Sequence, residues 1–279
     1  MSSRASTHPA LIENNVAVIT GGADGIGLAA AQFFIDLGMR VCIADINEAK
    51  LAEAASKLGD VLALKTDVAR IEDVRALKER VYQQYGQVDV LMNNAGTAVH
   101  CESWSGYENW QTTLNVNLWG VINGIHCFST AMMEQNTPGL IINTGSKQGI
   151  TLPPGNPAYN VSKAAIKAVT ETLQHDLRNV DGGQLSAHLL VPGFTYTGIM
   201  RQFLDEKPPS AWTSEQVIEF MVASLERGDF YIICPDNDVD RETDNKRMTW
   251  AMGDLTDNRP ALSRWHPDFQ QAFEAFMRK

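Results

Sequence analysis

Stretches rich in lysine and arginine are missing from this sequence. The 279 residues carry a net charge of −10 with an isoelectric point of about 5.1, and the 23 basic residues are scattered along the chain. Because nucleic-acid binding depends on a basic surface that neutralises phosphates, we expect no nucleic-acid partner.

Metal-binding and membrane-spanning patterns are missing as well. The four cysteines form no CxxC pair and the six histidines show no HxxxH or HExxH spacing, so we expect no metal site. The sequence contains no run of about 18 apolar residues, and its start lacks the apolar stretch of a signal peptide. These absences predict a cytoplasmic protein without membrane contact, which begins with a flexible arm over residues 1–12.

What the sequence does contain is a regular alternation of short β-branched runs with amphipathic segments of helix length. The runs predicted as strands are 16–20, 40–45, 61–65, 88–93, 139–145, 186–191 and 230–234. The segments predicted as helices are 25–37, 47–58, 71–85, 105–135, 157–180 and 214–227. Buried strands joined by helical crossovers pair in parallel. The order therefore predicts a single α/β domain over 1–279, with a doubly wound seven-stranded parallel sheet and helices on both faces.

A glycine-rich turn, TGGADGIG, directly follows the first predicted strand and places Gly21, Gly25 and Gly27 where the strand turns into a helix. Ligands of open parallel sheets bind at the carboxyl ends of the strands, and glycines there let backbone N–H groups approach a pyrophosphate closely. Such a turn can also serve only to pack a helix against a strand. Its surroundings decide between these interpretations.

Acidic and amide residues follow the next three strands. Asp45 ends the second strand, where a carboxylate can accept hydrogen bonds from both ribose hydroxyls of an adenosine. Asp67 follows the third strand and could reach the adenine, although it could equally cap the next helix. The NNAG sequence of residues 93–96 lies after the fourth strand, beside the same crevice. These neighbours favour a dinucleotide site.

Tyr159 and Lys163 stand four residues apart in a predicted helix and therefore share one helix face. A phenol has a pKa near 10, and a neighbouring cation favours its deprotonated form, so Tyr159 could act as an acid or base nearer neutral pH. The same spacing is also common on solvated helices. Ser146, after the fifth strand, and Asn117, whose amide could hold a water next to Lys163, strengthen the catalytic interpretation.

In order and spacing, TGGADGIG, NNAG, NVNLWG, Ser146, YNVSK and PGFTYT resemble the short-chain dehydrogenase/reductase family. The resemblance covers roughly Val16 to Thr197 and implies a Rossmann fold. It implies that Tyr159 is the general acid/base and that Ser146 hydrogen-bonds the substrate oxygen. It also implies that Lys163 lowers the pKa of Tyr159 and binds the nicotinamide ribose, and that Asn117 supports the proton relay.

The resemblance also implies a set of cofactor contacts. They are Gly21, Asp24, Gly25, Ile26, Gly27, Asp45, Ile46, Asp67, Val68, Asn94, Ala95, Gly96, Tyr159, Lys163, Pro192, Gly193, Thr195 and Thr197, the last against the nicotinamide carboxamide. We expect NAD rather than NADP, because Asp45 would repel a 2′-phosphate and Ile46 offers it no cation. Asp24 stands where NADP users of the family often have a basic residue.

These residues together predict an oxidoreductase that transfers a hydride between NAD(H) and a secondary alcohol or ketone on a small, mostly apolar molecule. Two alternatives stay open: a non-catalytic dinucleotide-sensing or scaffold protein on the same fold, and a relative of the nucleotide-sugar epimerases and dehydratases. The complete Ser, Tyr, Lys and Asn set argues against the first, and the spacing of the first glycines argues against the second.

The long helices near 105–135 and 157–180 predict a homo-oligomer, either a dimer or a tetramer. The family resemblance implies this, and apolar residues beyond one sheet-facing stripe support it; they are Trp119, Ile122, Ile125 and Phe128.

Residues expected to border the substrate follow the fourth strand, the catalytic serine and the sixth strand. They are His100, Lys147, Gln148, Leu152, Phe194 and the substrate loop 198–212, with Met200, Phe203, Leu204 and Trp212 as an apolar wall. The C-terminal extension, 235–279, is polar apart from its tryptophans and a last helix opened by Pro267, so it is expected to make few core contacts and to act as a mobile cover or a subunit contact.

Two departures from the family pattern concern the substrate and the subunit packing. Gly145 replaces the Ser that often precedes the catalytic Ser, and the frequent Asp-Gly-Gly ending is missing.

Overall fold

The protein is described by a computed structural model that covers residues 6–202 and 204–279. Its centre is a seven-stranded sheet in the order β3-β2-β1-β4-β5-β6-β7, and every neighbouring pair is parallel. The strands are β1 Val16–Thr20, β2 Arg40–Asp45, β3 Leu62–Lys65, β4 Val90–Asn93, β5 Gly139–Thr144, β6 Leu185–Val191 and β7 Tyr231–Ile233. The predicted doubly wound parallel sheet is confirmed.

Helices cover both faces of the sheet. They are α1 Gly25–Asp36, α2 Glu48–Leu58, α3 Ile71–Tyr85, α4 Tyr107–Leu114, α5 Gly120–Glu134, α6 Gln148–Thr151, α7 Pro157–Arg178, α8 Ser214–Glu226, α9 Arg241–Thr256 and α10 Gln270–Met277. Successive side chains of a strand point to opposite faces. Ala17 and Ile19 of β1 accordingly pack with α1, α2 and α8, whereas Val16 and Val18 pack with α3, α5 and α7.

The predicted helix over 105–135 is divided in the structure. Between α4 and α5 the chain forms a π-helical turn over Asn115–Trp119. Insertions of this kind widen a helix locally and often lie at functional sites. Here the turn contains Asn117.

The N-terminal arm is partly fixed to the body of the protein. Leu11 is 1% exposed within the core on the α1 side, and Glu226 at the end of α8 accepts hydrogen bonds from Ser6 Oγ and Thr7 N at 2.9 and 2.8 Å. The expected flexible arm over 1–12 is therefore wrong for residues 6–12, because apolar burial and these bonds hold them. Residues 1–5 lie outside the described part.

The C-terminal extension forms more structure than its composition suggests. α9 was not predicted, and it places Trp250 against Phe273 and Phe276 of α10 at ring-centre distances of 5.3 and 5.4 Å. Trp250 Nε1 also donates to Ser263 Oγ at 2.8 Å. The expectation of few core contacts is wrong, because these aromatic residues build a small core of their own.

Two features are absent from the part of the chain that the structure describes. Within 6–202 and 204–279, no helix combines the length and apolar character needed to cross a membrane. The same residues contain no group of three or more His, Cys, Asp or Glu side chains that could hold a metal ion.

Candidate active site

A crevice of about 670 Å³ opens at the carboxyl ends of β1 and β4, where the strand order reverses. Its size falls within the range of small-molecule sites, roughly 300–1,000 Å³. Of the predicted catalytic and cofactor residues, those that line it are Gly21, Asp24, Gly25, Ile26, Asp45, Ile46, Asp67, Val68, Asn94, Ala95, Gly96, Ser146, Tyr159, Lys163, Pro192, Gly193, Thr195 and Thr197. Gly27 and Asn117 do not line the crevice and lie behind it.

The glycine turn forms the floor of the crevice. Gly21 and Gly25 have φ values of +64° and +54°, which side-chain-bearing residues rarely adopt. A Cβ at Gly21 would lie 2.8 Å from Ala95 Cα, so glycine lets the turn approach the end of β4. Asn94 Nδ2 connects the end of β4 to the glycine turn by donating hydrogen bonds to Thr20 O and Gly21 O at 3.2 and 3.3 Å. This cradle of backbone at the start of α1 fits a dinucleotide pyrophosphate.

Gly27 has a packing role. A Cβ there would lie 2.2 Å from the carbonyl oxygen of Gly21, so any side chain would push α1 away from the turn. Gly27 therefore shapes the glycine turn, and its direct contact with the cofactor stays a prediction.

Asp45 lies beside the glycine turn with its carboxylate fixed. Oδ1 accepts from Asn47 N at 2.9 Å and Oδ2 accepts from Ala23 N at 3.3 Å. Ile46, beside it, is 60% exposed. A fixed carboxylate at the end of β2 can accept hydrogen bonds from the ribose hydroxyls of a nicotinamide cofactor.

Asp24 does not stand as a free negative charge. It caps α1 through Gly25 N, and it forms ion pairs with Lys50 at 2.8 Å and with Arg201. Burial alone would raise the pKa of Asp24, but hydrogen bonds from Lys50 and Arg201 and the charge of Arg201 outweigh it and hold the pKa below its usual value. Two cations therefore balance the charge of Asp24 in this structure.

Asp67 forms a local turn at the rim of the crevice. Its Oδ1 accepts from Ala69 N at 3.0 Å, and its own N–H donates to Asp73 Oδ2 at 3.2 Å. The N-cap of α3 is Arg70, which makes no side-chain capping bond, so the helix-capping alternative for Asp67 is wrong.

Tyr159 lies in the first turn of α7, where a capping bond fixes the helix start. Asn156 Oδ1 accepts from Tyr159 N at 3.3 Å, and Pro157 occupies the first helical position. Burial raises the pKa of the Tyr159 phenol above its usual value of 10, and a hydrogen bond with Ser146 opposes this rise. The phenol is therefore protonated at neutral pH, and the expected lowering of its pKa by Lys163 is not the dominant effect in this structure.

Lys163 is buried below the phenol. Its side chain is 5% exposed, Nζ donates to Thr144 O at 2.8 Å, and Nζ lies 5.6 Å from the centre of the Tyr159 ring. Burial lowers the pKa of Lys163 from 10.5 to about 8, so the side chain is mostly protonated at pH 7. A cation is thus held near the ring by the end of β5.

Asn117 connects three segments behind the crevice. Its Nδ2 donates to Thr97 O at 2.9 Å and to Ser162 Oγ at 3.0 Å, while Oδ1 accepts from Thr97 N at 2.8 Å. Both amide N–H donors are therefore used. Asn117 thus ties the end of the NNAG loop to α7, and its expected role in holding a water next to Lys163 stays a prediction.

Comparison with known proteins decides the family. The family model described as short chain dehydrogenase matches residues 15–208. The chain belongs to the short-chain dehydrogenase/reductase family. It is accordingly a dehydrogenase/reductase that acts on CH–OH groups.

Three relatives show how far the similarity extends. The 3beta-hydroxysteroid dehydrogenase 2 of Eggerthella lenta is 34% identical over 204 residues, which cover 70% of this chain and 77% of the relative. The 3-hydroxyacyl-CoA dehydrogenase type-2 of Drosophila melanogaster is 33% identical over 181 residues, covering 60% and 71%. A solved short-chain dehydrogenase/reductase from Burkholderia phymatum, in complex with NAD, superposes with a TM-score of 0.80 at 30% identity, covering 89% of this chain and 96% of that one.

Only some of the residues expected to border the substrate line the crevice of this dehydrogenase/reductase. Lys147, Gln148, Phe194 and Met200 line the crevice as expected. The other expected wall residues differ in their surroundings: His100, Leu152 and Leu204 are not among the lining residues, Trp212 packs on Phe220 with ring centres 5.9 Å apart, and Phe203 lies outside the described residues. Trp212 faces the α8 side of the core because backbone bonds fix it beside Phe194 and Tyr196.

Some residues of the site were not predicted from the sequence. Lys50 and Arg201 pair with Asp24, and Thr97, Val116 and Ile199 line the crevice. Lys50 lies in the first turn of α2, shortly after the strand that carries Asp45. Its position after the second strand could therefore have indicated that it lines the crevice. Arg201 is far from Asp24 in the sequence, and no local pattern indicates that pair.

Proposed function

We propose that this dehydrogenase/reductase uses NAD(H) to interconvert a secondary alcohol and a ketone on a mostly apolar molecule. The observation that carries the proposal is the arrangement at the start of α7: the Tyr159 phenol shares a hydrogen bond with Ser146, and the Lys163 ammonium lies 5.6 Å from its ring centre. A phenol that can exchange a proton beside a hydroxyl donor is what reversible carbonyl reduction needs.

The proposed roles follow from the contacts. In ketone reduction, Tyr159 donates its proton to the carbonyl oxygen while Ser146 holds that oxygen in place; in oxidation the proton returns to Tyr159. Lys163 supplies a fixed positive charge that favours the phenolate formed in reduction. Asn117 positions the backbone at Thr97. Nicotinamide, when bound, supplies or accepts the hydride. Since burial raises the pKa of Tyr159, alcohol oxidation should speed up as the pH rises above neutral.

The choice of NAD rests on Asp45. Its carboxylate is fixed by Asn47 N and Ala23 N at the place where the adenosine ribose of a cofactor on the glycine turn would lie. The NAD complex of the Burkholderia phymatum relative supports this proposal. The cation of Lys50 lines the same crevice and would favour the 2′-phosphate of NADP. The ion pair of Lys50 with Asp24 reduces this attraction.

An apolar substrate is favoured by the crevice wall and by the relatives. Val116, Phe194, Ile199 and Met200 line the same crevice as Ser146 and Tyr159. Two relatives are named for the dehydrogenation of a hydroxysteroid and of a hydroxyacyl-CoA, and the hydroxyl group stands on an apolar ring system in the first case and on an acyl chain in the second.

A homo-oligomer and a cytoplasmic location are also part of the proposal. Trp119 is 52% exposed and Tyr107 is 69% exposed on the long helical segment that contains α4 and α5, and large exposed aromatic residues are typical of interfaces. Ile125 and Phe128, which were expected to contribute to the subunit interface, pack in the core instead.

The four cysteines are free thiols, which suits the reducing compartment of the proposed cytoplasmic location.

The test is a turnover assay with both cofactors. The purified protein is mixed with NADH or NADPH and a panel of ketones that ranges from small and polar to steroid-sized and acyl-chain ketones. The proposal expects cofactor oxidation with NADH and with the apolar ketones. Failure to consume either cofactor with the whole panel, in a protein that still binds NADH, would favour the non-catalytic alternative.

A further inference from the structure

Lys147, the residue directly after Ser146, is held by two carboxylates from the C-terminal extension. Its Nζ lies 2.7 Å from Asp244 Oδ2 and 3.5 Å from Asp236 Oδ2. The Lys147 side chain is 19% exposed, and each aspartate side chain is 6% exposed. Removing one partner of a buried ion pair leaves an uncompensated charge, which is more disruptive than the loss of an exposed pair. Loss of either carboxylate should therefore disturb the link between the Ser146 segment and the C-terminal extension.

Asp236 connects the same ammonium to the wall of the crevice. Its Oδ2 accepts from Phe194 N at 3.2 Å. A Cβ at Gly193 would lie 2.9 Å from Asp236 Oδ2 and 3.0 Å from Lys147 Nζ, so glycine is needed for this approach. The ion-pair cluster thus lies directly behind the backbone that follows β6.

The Ser146 segment is also pressed against α7. A Cβ at Gly149 would lie 2.4 Å from the carbonyl carbon of Lys163, so α6 touches the backbone of the helix that carries the proposed acid/base pair. On its other side the segment meets α9 through Lys147. The Ser146 segment therefore lies between α7 and α9. If α9 moved away from Lys147, the segment would lose its contact with α9 and keep its contact with α7.

We propose that Asp244 is a positioning residue that acts through Lys147 to fix Ser146 relative to Tyr159. The proposal rests on the proposed function for its kinetic consequence, but not for its structural one. Ser146 must hold the substrate oxygen within hydrogen-bond distance of the phenol, and small displacements of such a group slow turnover strongly. The C-terminal extension is accordingly a support of the active site.

The test compares Asp244→Asn, which keeps the shape and removes the charge, with a matched control on the same helix. Glu242→Gln breaks the ion pair of Lys246 with Glu242, whose side chain is 74% exposed. We expect Asp244→Asn to lower kcat for ketone reduction by about tenfold or more with the KM for the cofactor within about threefold, and Glu242→Gln to leave both unchanged. An unchanged kcat in Asp244→Asn would overturn the proposal.

A double variant covers the case in which Asp244→Asn does not fold. Lys147→Met with Asp244→Asn removes both charges of this pair, and it should show a loss in kcat similar to that of Asp244→Asn, because both break the same link. A double variant with kcat within about twofold of the wild type would overturn the proposal.

Hydrogen exchange gives a readout that does not depend on turnover. The backbone N–H groups of Gly149, Ile150 and Thr151 donate hydrogen bonds to the carbonyl oxygens of Ser146 and Lys147. Their exchange rates therefore report how firmly the Ser146 segment is held. They should exchange faster in Asp244→Asn or in the double variant and at the wild-type rate in Glu242→Gln. Unchanged exchange would contradict the structural link, whereas a wild-type protein that reduces no ketone would contradict only the proposed function.

Discussion

The Nζ of Lys163 lies 5.6 Å from the centre of the Tyr159 ring and 2.8 Å from the carbonyl oxygen of Thr144. One helical turn on α7 therefore brings a cation near the phenol, and the end of β5 holds it there. The arrangement couples the chemistry of the site to the core of the sheet. It also requires the folded protein to bury a charge.

Lys163→Met should stabilise the protein while it abolishes turnover. Burial lowers the pKa of Lys163 from 10.5 to about 8, which corresponds to about 3 kcal/mol at pH 7. Loss of the hydrogen bond to Thr144 offsets about 1 kcal/mol of this. We expect the free energy of unfolding at pH 7 to rise by about 1–2 kcal/mol, measured by urea unfolding.

The gain should depend on pH in a defined direction. Between the folded-state pKa of about 8 and the unfolded value of 10.5, the unfolded wild type binds more protons than the folded protein. As the pH rises through that window, the free energy of unfolding of the wild type therefore increases relative to that of Lys163→Met. The stability advantage of the variant should then shrink toward pH 10. A variant that is less stable than the wild type at pH 7, or a difference that stays constant with pH, would argue against a buried charged lysine.

The cofactor preference should follow Asp45. One charge on the carboxylate and nearly two on a 2′-phosphate, about 5 Å apart in a solvated cleft, correspond to about 3 kcal/mol after screening. The ratio of kcat/KM for NAD over NADP should then exceed about 100. Asp45→Ala combined with Ile46→Arg should move the ratio toward NADP, while Ile46→Ala alone should leave NAD preferred. A wild-type ratio below about ten would remove the basis of the NAD assignment.

The oligomer should depend on the exposed aromatic surface of the long helical segment. Light scattering on the protein at micromolar concentration should give a multiple of the 30.7 kDa chain mass. Trp119→Glu places a charge on a side chain that is 52% exposed, so it should weaken association with little effect on the fold. A wild-type mass near that of one chain would exclude the proposed oligomer.

Removal of residues 260–279 should lower stability. The deletion takes Phe273 and Phe276 away from Trp250, which is 6% exposed, and it removes the hydrogen-bond partner of the indole, Ser263. Loss of aromatic packing of this kind costs about 3 kcal/mol or more, so we expect a lower thermal midpoint. A truncated protein with the wild-type midpoint and a raised substrate KM would instead support the mobile cover expected from the sequence.

The sheet and the crevice could be predicted because local patterns determine them. Val16–Thr20 and Gly139–Thr144 are apolar runs, each followed by a turn into a helix. The glycine turn after β1 needs the conformations and the close approach that only glycine permits. Positions just after strands therefore indicated the lining residues. The predicted strands 88–93 and 230–234 were slightly too long, because apolar residues continue past the last ladder bonds.

The contacts of the C-terminal extension could not be predicted in the same way. The apolar residues of α9 are few and do not form one stripe, so its helical period was not visible in the sequence. Lys147 and Asp244 are 97 residues apart and meet only because β7 returns the chain to the edge of the crevice. The balance of Asp24 by Lys50 and Arg201 was missed for the same reason, since side-chain pairs of this kind depend on the tertiary fold.

The central claim is that Tyr159 exchanges the proton during hydride transfer, and Tyr159→Phe tests it most directly. The substitution keeps the ring and removes only the hydroxyl group, so NADH binding, measured by fluorescence titration, should stay within a few-fold of the wild type. Steady-state reduction of the best ketone should show kcat lower by about 10² or more. A Phe variant that binds NADH normally and keeps near-wild-type kcat would contradict the assignment of Tyr159 as the acid/base.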